Sequence, residues 1–212
     1  MIQNIIFDFG GVLLNLDMQK TYSALSNLLK IPLEYPDVPE DIRHLVWSYE
    51  TGKINNESFI WQLQQRCPNP KPQGYDVIQA WNAMLLGWEK QTFPFLEKLK
   101  KKYRLFLLSN TNVLHIEWVR QDLKLNHAIV DFEAKFFEKA YYSYDIQKHK
   151  PDPKIYQYVL DDARIIAEET LFIDDNLANI MAAHELGIHV YHHDPTKNLI
   201  DIFDKNGWMP IN

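Results

Sequence analysis

Four short polar clusters stand where apolar runs stop, and their chemistry is complementary. Asp8 follows Ile5-Ile6-Phe7, Ser109-Asn110-Thr111-Asn112 follows Leu107-Leu108, and Asp174-Asp175-Asn176 follows Leu171-Phe172-Ile173. Lys150 stands in a loop just ahead of a helix start. A carboxylate can attack phosphorus and form an acyl phosphate that water later hydrolyses. Three carboxylates drawn together repel: two unit charges about 4 Å apart cost about 4 kcal/mol at an effective dielectric near 20. Such a cluster asks for a divalent cation, and oxygen-only donors point to magnesium ahead of zinc. A serine hydroxyl, backbone N–H groups and a lysine ammonium supply the rest of what a phosphoryl group needs. Each feature alone has a plainer reading. Asp8 with Gly10-Gly11 could close a turn, Ser109 to Asn112 and Asp174 to Asn176 could cap helices, and Lys150 could be solvated. Their joint occurrence, three at strand exits and one before a helix, favours a site.

Those positions make sense only in a parallel sheet, where ligands bind at the carboxyl ends of strands. The apolar spacing predicts strands at residues 5–7, 103–108, 140–142 and 171–173, with a last one at 189–192. Between the first and second strands the pattern turns helical, with segments at 17–29, 39–49, 56–66 and 72–86. Gly52 suits the position just past the second of these, and Asn55 or Asn56 the cap of the third. Further helices are expected at 95–102, from Val113, from Asp152-Pro153, and from the Asp175 region to Leu186, with Gly187 beyond its end. The order is strand, helical block, then β-α repeats. It predicts an α/β fold: a Rossmann-like core sheet domain formed by residues 1–15 and 91–212, with a helical cap inserted at 16–90.

Composition narrows the classes. The chain has 212 residues, a formal charge of -6 and a single cysteine, Cys67, which excludes an internal disulfide. An acidic balance disfavours broad nucleic-acid binding but not a small phosphorylated metabolite held by a metal and a few local cations. No apolar stretch approaches the roughly 20 residues of a membrane helix, and a cytoplasmic protein is expected.

The same residues resemble the four motifs of haloacid-dehalogenase-like hydrolases. The segments are Ile5 to Leu13, Leu107 to Asn112, Lys150 to Tyr156, and Phe172 to Asn176 followed by Asn179-Ile180 and Leu186-Gly187-Ile188. Within that superfamily the chain is similar to bacterial α-glucose-1-phosphate phosphatases and, more loosely, to the phosphatase domain of soluble epoxide hydrolases. The resemblance implies a phosphatase with Asp8 as nucleophile and magnesium ligand, joined by the Gly10 carbonyl and Asp175. Asp174 would support the metal directly or through water. Ser109 and Asn110 would bind phosphate, and Lys150 would bridge phosphate and nucleophile.

One position departs from the family pattern. Most such phosphatases carry a second aspartate two residues after the nucleophile, as general acid and base; here that residue is Gly10. Loss of general acid–base help typically costs about 10²–10⁴ in rate. A sugar 1-phosphate, whose leaving hydroxyl is comparatively acidic, would tolerate the loss and is the specific substrate expectation. Alternatively Asp17 or a cap residue supplies the proton, or the protein is a weak or inactive phosphosugar binder; a dehalogenase ranks third. The aromatics Trp47, Tyr49, Phe59, Trp61, Tyr75, Trp81 and Trp88 are expected mostly to form the cap's own core; Glu50 or Lys53 could hydrogen-bond substrate hydroxyls, but solvated turn residues are the favoured reading for both. His192-His193-Asp194 is not read as a metal cluster, because neighbouring strand residues point to opposite faces.

Overall fold

The computed structural model describes residues 1–208. Five parallel strands form the central sheet: β1 (Asn4–Phe7), β4 (Arg104–Ser109), β5 (Lys139–Tyr142), β6 (Thr170–Asp174) and β7 (His189–His192), in the order β5-β4-β1-β6-β7. The central strands are apolar at every position that packs, as expected where helices cover both faces. Ile5, Phe7, Leu105, Leu107, Leu171 and Ile173 face one core, with α5 (Thr92–Leu99), α6 (Val113–Asn126), α7 (Phe132–Phe136) and α11 (Leu199–Lys205). The alternate residues Ile6, Phe106, Leu108 and Phe172 face the other, with α9 (Pro153–Ala163) and α10 (Leu177–His184). The two-residue period of a strand thus divides one apolar run between two layers.

Four helices between the first and second core strands enclose a third core: α1 (Met18–Leu29), α2 (Glu40–Glu50), α3 (Asn56–Gln65) and α4 (Gly74–Asn82). Tyr49 stacks on Phe59 at 4.2 Å, and Phe59 meets Trp81 edge-on at 4.8 Å. Asn55 caps α3, its side chain accepting from Ser58 N at 2.9 Å. Leu114 of α6 joins this core, and its N–H donates to the Tyr49 hydroxyl at 3.2 Å.

The fourth helix is shorter than its sequence suggests. It stops at Asn82, and β3 (Leu85–Trp88) pairs antiparallel with β2 (Leu14–Leu16), a ribbon that brackets the four helices. Periodicity cannot separate a short apolar run such as Met84-Leu85-Leu86 from a helix end; its pairing with a strand about 70 residues away decides it. The expectation for the aromatics also needs correction. Tyr49, Phe59 and Trp81 are buried, but Trp47, Trp61 and Tyr75 are exposed on the helical layer's outer faces. Trp88 packs instead with the sheet layer, against Phe9 and Phe132, and donates to Asp122 at 3.0 Å.

Candidate active site

Strand register assembles the site. Phe7 is aligned with Leu107 on one side and Ile173 on the other, so Asp8, Leu108 and Asp174 reach the same level at the carboxyl edge. Asp8 N donates to Ile173 O at 2.8 Å, which continues the ladder one residue past β1. The Lys150 ammonium enters from the loop before α9, a helix capped by Asp152 with Pro153 in its first turn. It donates to Asp8 Oδ1 at 2.7 Å, Asp174 Oδ2 at 2.7 Å and Leu108 O at 3.0 Å. Those three bonds use all its donors, and the residue is 2% exposed.

The supporting residues are equally fixed. Asn179 Nδ2 donates to both oxygens of Asp174 at 3.0 Å, and Asn176 N donates to Asp174 Oδ1 at 2.7 Å. The Asn110 side chain clamps the lysine backbone: it accepts from Lys150 N and donates to Lys150 O, each at 2.9 Å. Its amide is therefore engaged, so what Asn110 can offer a phosphate is its backbone N–H. Asp8, Gly10, Ser109, Asn110, Lys150 and Asp175 all line one cleft. Asp17 is not part of that lining. Lys53 turns away, its ammonium 3.9 Å above the Trp47 ring.

The electrostatics ask for more positive charge than Lys150 provides. Burial pushes the Asp8 carboxyl up to about 7; the Lys150 ammonium opposes this, while Asp174 and Asp175 add to it. Asp175 is raised by burial and by Asp174. Burial alone would lower Lys150, but Asp8 and Asp174 outweigh it and hold the ammonium above its ordinary range. One carboxylate oxygen each from Asp8, Asp174 and Asp175 lie within 4.8 Å of one another. The donor set contains no nitrogen or sulfur, so it fits a hard cation of the magnesium type.

At Gly10 the missing side chain has been replaced by another. A Cβ built there would lie 2.3 Å from Leu16 Cδ1, so the first residue of the helical segment's approach already occupies that space. Sequence reasoning missed this, because it depends on how β2 folds back. It also missed His149, which sits beside Asn110 and reaches Glu50 of α2 at 3.2 Å. Asn179 stands out in the sequence only as part of the fourth motif, yet its place five residues after Asp174 on α10 is what lets it grip that carboxylate.

This chain belongs to the haloacid dehalogenase-like hydrolase family, which it matches over residues 2–187. It is similar to the D-ribitol-5-phosphate phosphatase of Bacteroides thetaiotaomicron, 30% identical over 200 residues, which cover 90% of this chain and 91% of that protein. Its fold superposes on a family enzyme from Bacteroides thetaiotaomicron crystallised with magnesium, with a TM-score of 0.84 at 30% identity, covering 95% of this chain and 98% of that one. The wild-type form of that enzyme in complex with magnesium and inorganic phosphate gives a TM-score of 0.82 at 29% identity, covering 96% and 100%.

Proposed function

We propose that the protein is a magnesium-dependent phosphatase of small phosphate monoesters, working through an aspartyl-phosphate on Asp8. The observation that carries this is the buried Asp8–Lys150–Asp174 network with Asp175 open to the same cleft. Asp8 Oδ1 is engaged by Lys150, which leaves Oδ2 to attack phosphorus. As that P–O bond forms, the ester P–O bond breaks and its electron pair leaves on the alcohol oxygen. Ser109 and the backbone N–H of Asn110 hold the phosphoryl oxygens, and Lys150 offsets their charge at the nucleophile. Water then hydrolyses the acyl phosphate and restores Asp8. Asp8, Asp175 and the Gly10 carbonyl, with Asp174 behind them, would hold the magnesium, which when bound polarises a phosphoryl oxygen. In this reading residues 16–90 act as a cap that excludes water over the core formed by 1–15 and 91–212.

The substrate is a small phosphorylated metabolite. A hexose 1-phosphate suits a site without a carboxylate at residue 10. A pentitol phosphate is the second reading, favoured by the likeness to the D-ribitol-5-phosphate phosphatase. Phosphate release from glucose 1-phosphate, glucose 6-phosphate and ribitol 5-phosphate, with magnesium, with chelator and with Asp8→Asn, tests this. Turnover that needs both magnesium and Asp8 is the expected result. Binding of all three esters without release would instead identify a phosphosugar-binding protein.

A further inference from the structure

We infer that Tyr35 and Leu86 seat the organic part of the ester, and that this contact selects a ring with an apolar face over an open-chain polyol. The inference rests on the phosphatase reading above and deepens it, by naming residues outside the phosphate site that choose the substrate.

The case begins with apolar surface in a cleft built for a charged group. Leu16, Met18, Tyr35 and Leu86 line the same cleft as Asp8, Lys150 and Asp175. Its volume, about 640 Å³, lies inside the range of about 300–1,000 Å³ for small-molecule sites, so a phosphoryl group fills only part of it. Tyr35 is 46% exposed and Leu86 47% exposed. Single exposed apolar side chains are ordinary, but two that border one polar cleft mark where a ligand lays its own apolar surface. They come from different elements, Tyr35 from the loop between α1 and α2 and Leu86 from β3, so the fold brings them to one place.

Tyr35 is also held in position by the protein itself. Its ring stacks on Tyr22, with centroids 5.9 Å apart and planes at 16°. Tyr22 is buried in the core of the helical layer. The Tyr35 N–H donates to Gln19 Oε1 at 3.3 Å, which ties the loop to α1. An aromatic ring fixed in this way loses little conformational entropy when a ligand lies on it. Among the described residues it is the one aromatic that lines this cleft. Tyr144 of α8 (Ser143–Ile146), the helix directly after β5, opens instead on a separate groove with Tyr49 and Lys53.

Polar groups complete the lining. Asn15 and Glu89 border the cleft, joined by a bond from Asn15 Nδ2 to Glu89 Oε1 at 3.0 Å. The Asn15 amide oxygen and Glu89 Oε2 make no other hydrogen bond among the described residues, so both can accept from hydroxyls. A hexopyranose offers the two matching surfaces together: axial C–H bonds make an apolar face, and equatorial hydroxyls form a polar rim. A pentitol carries a hydroxyl on each carbon of a flexible chain and presents no lasting apolar face to Tyr35.

The test measures Kd by calorimetry with magnesium in the Asp8→Asn background, where bound ester is not consumed. The ligands are glucose 1-phosphate, ribitol 5-phosphate and inorganic phosphate. Tyr35→Ala is expected to weaken glucose 1-phosphate by about 3–10-fold, the size of one aromatic contact, and the other two by less than about twofold. Leu86→Ala should act in the same direction by a smaller factor. Tyr35→Phe should keep the affinity, because the ring face and not the hydroxyl makes the contact. Retained inorganic phosphate affinity and unfolding midpoints show that each variant is folded. Glucose 1-phosphate affinity that is absent, or unchanged in either alanine variant, overturns the inference. So does an equal loss on ribitol 5-phosphate, or a loss in Tyr35→Phe as large as in Tyr35→Ala. Phosphate release with Asp8 intact is read separately: no release from either ester overturns the phosphatase reading, while the binding ratios judge Tyr35 by themselves.

Discussion

At the scale of the residue, the buried ammonium of Lys150 is the group on which most depends. It is the only cation in contact with Asp8 and Asp174 among the described residues. Removing one partner of a buried network leaves uncompensated charge, a loss of about 3–5 kcal/mol. Lys150→Met should therefore lower the urea midpoint sharply as well as abolish phosphate release; an unchanged midpoint would show that the carboxylates find other compensation. His115 allows a cleaner pH argument. It is buried, stacked on Trp81 at 4.9 Å, and bonded in its neutral form to Asn112 and Trp81 O. Burial pushes its pKa down to about 4 from 6.5. Between those values the unfolded chain binds a proton that the folded one refuses, so its contribution is present above 6.5 and lost as pH falls toward 4. The loss over that window is about 3 kcal/mol. His115→Gln should accordingly be less pH-sensitive, with the gap between the two proteins narrowing on acidification in urea titrations. The nucleophile, the lysine and the paired aspartates were legible as residues because each stands next to an apolar run. Glu50 and His149 were not legible as a pair, since 99 positions separate them and only the packing of two layers joins them.

At the scale of the element, the sheet was readable and the ribbon was not. Runs such as Ile5-Ile6-Phe7 and Leu171-Phe172-Ile173, each ending at a polar cluster, fit strands covered on both sides, and the order of strands and helices limits the topology. Leu14–Leu16 and Leu85–Trp88 are short, and their partners are remote; nothing local separates them from loop or helix. That ribbon matters to the site, because its turn sets Leu16 where a side chain on residue 10 would stand. Caps were read well where the chemistry is local, as at Asn55 and Asp152. The Gly52 turn offers a test at this scale. Its positive φ and the Tyr144 carbonyl leave no room for a methyl group, so Gly52→Ala should destabilise by more than about 1 kcal/mol. A variant of normal stability would show that the turn is free to shift.

At the scale of the whole molecule, three cores share one job: two brace the sheet, and the third holds a helical layer over its carboxyl edge. A ligand that binds only the folded state stabilises it by about 2.7 kcal/mol at 100 times its Kd. Magnesium should therefore raise the Tm of this protein in a concentration-dependent way, and Asp175→Asn should blunt the rise; identical shifts in both proteins would place the ion elsewhere. The cluster's own charge has a last consequence. Among the described residues Asp8, Asp174 and Asp175 face a single ammonium, so the ionised pocket carries a formal excess of two negative charges inside a chain that is itself acidic. A phosphate dianion approaching that pocket meets repulsion from near and far alike. A divalent cation held by the three carboxylates would offset that charge, so the expected order of binding is cation first and ester second.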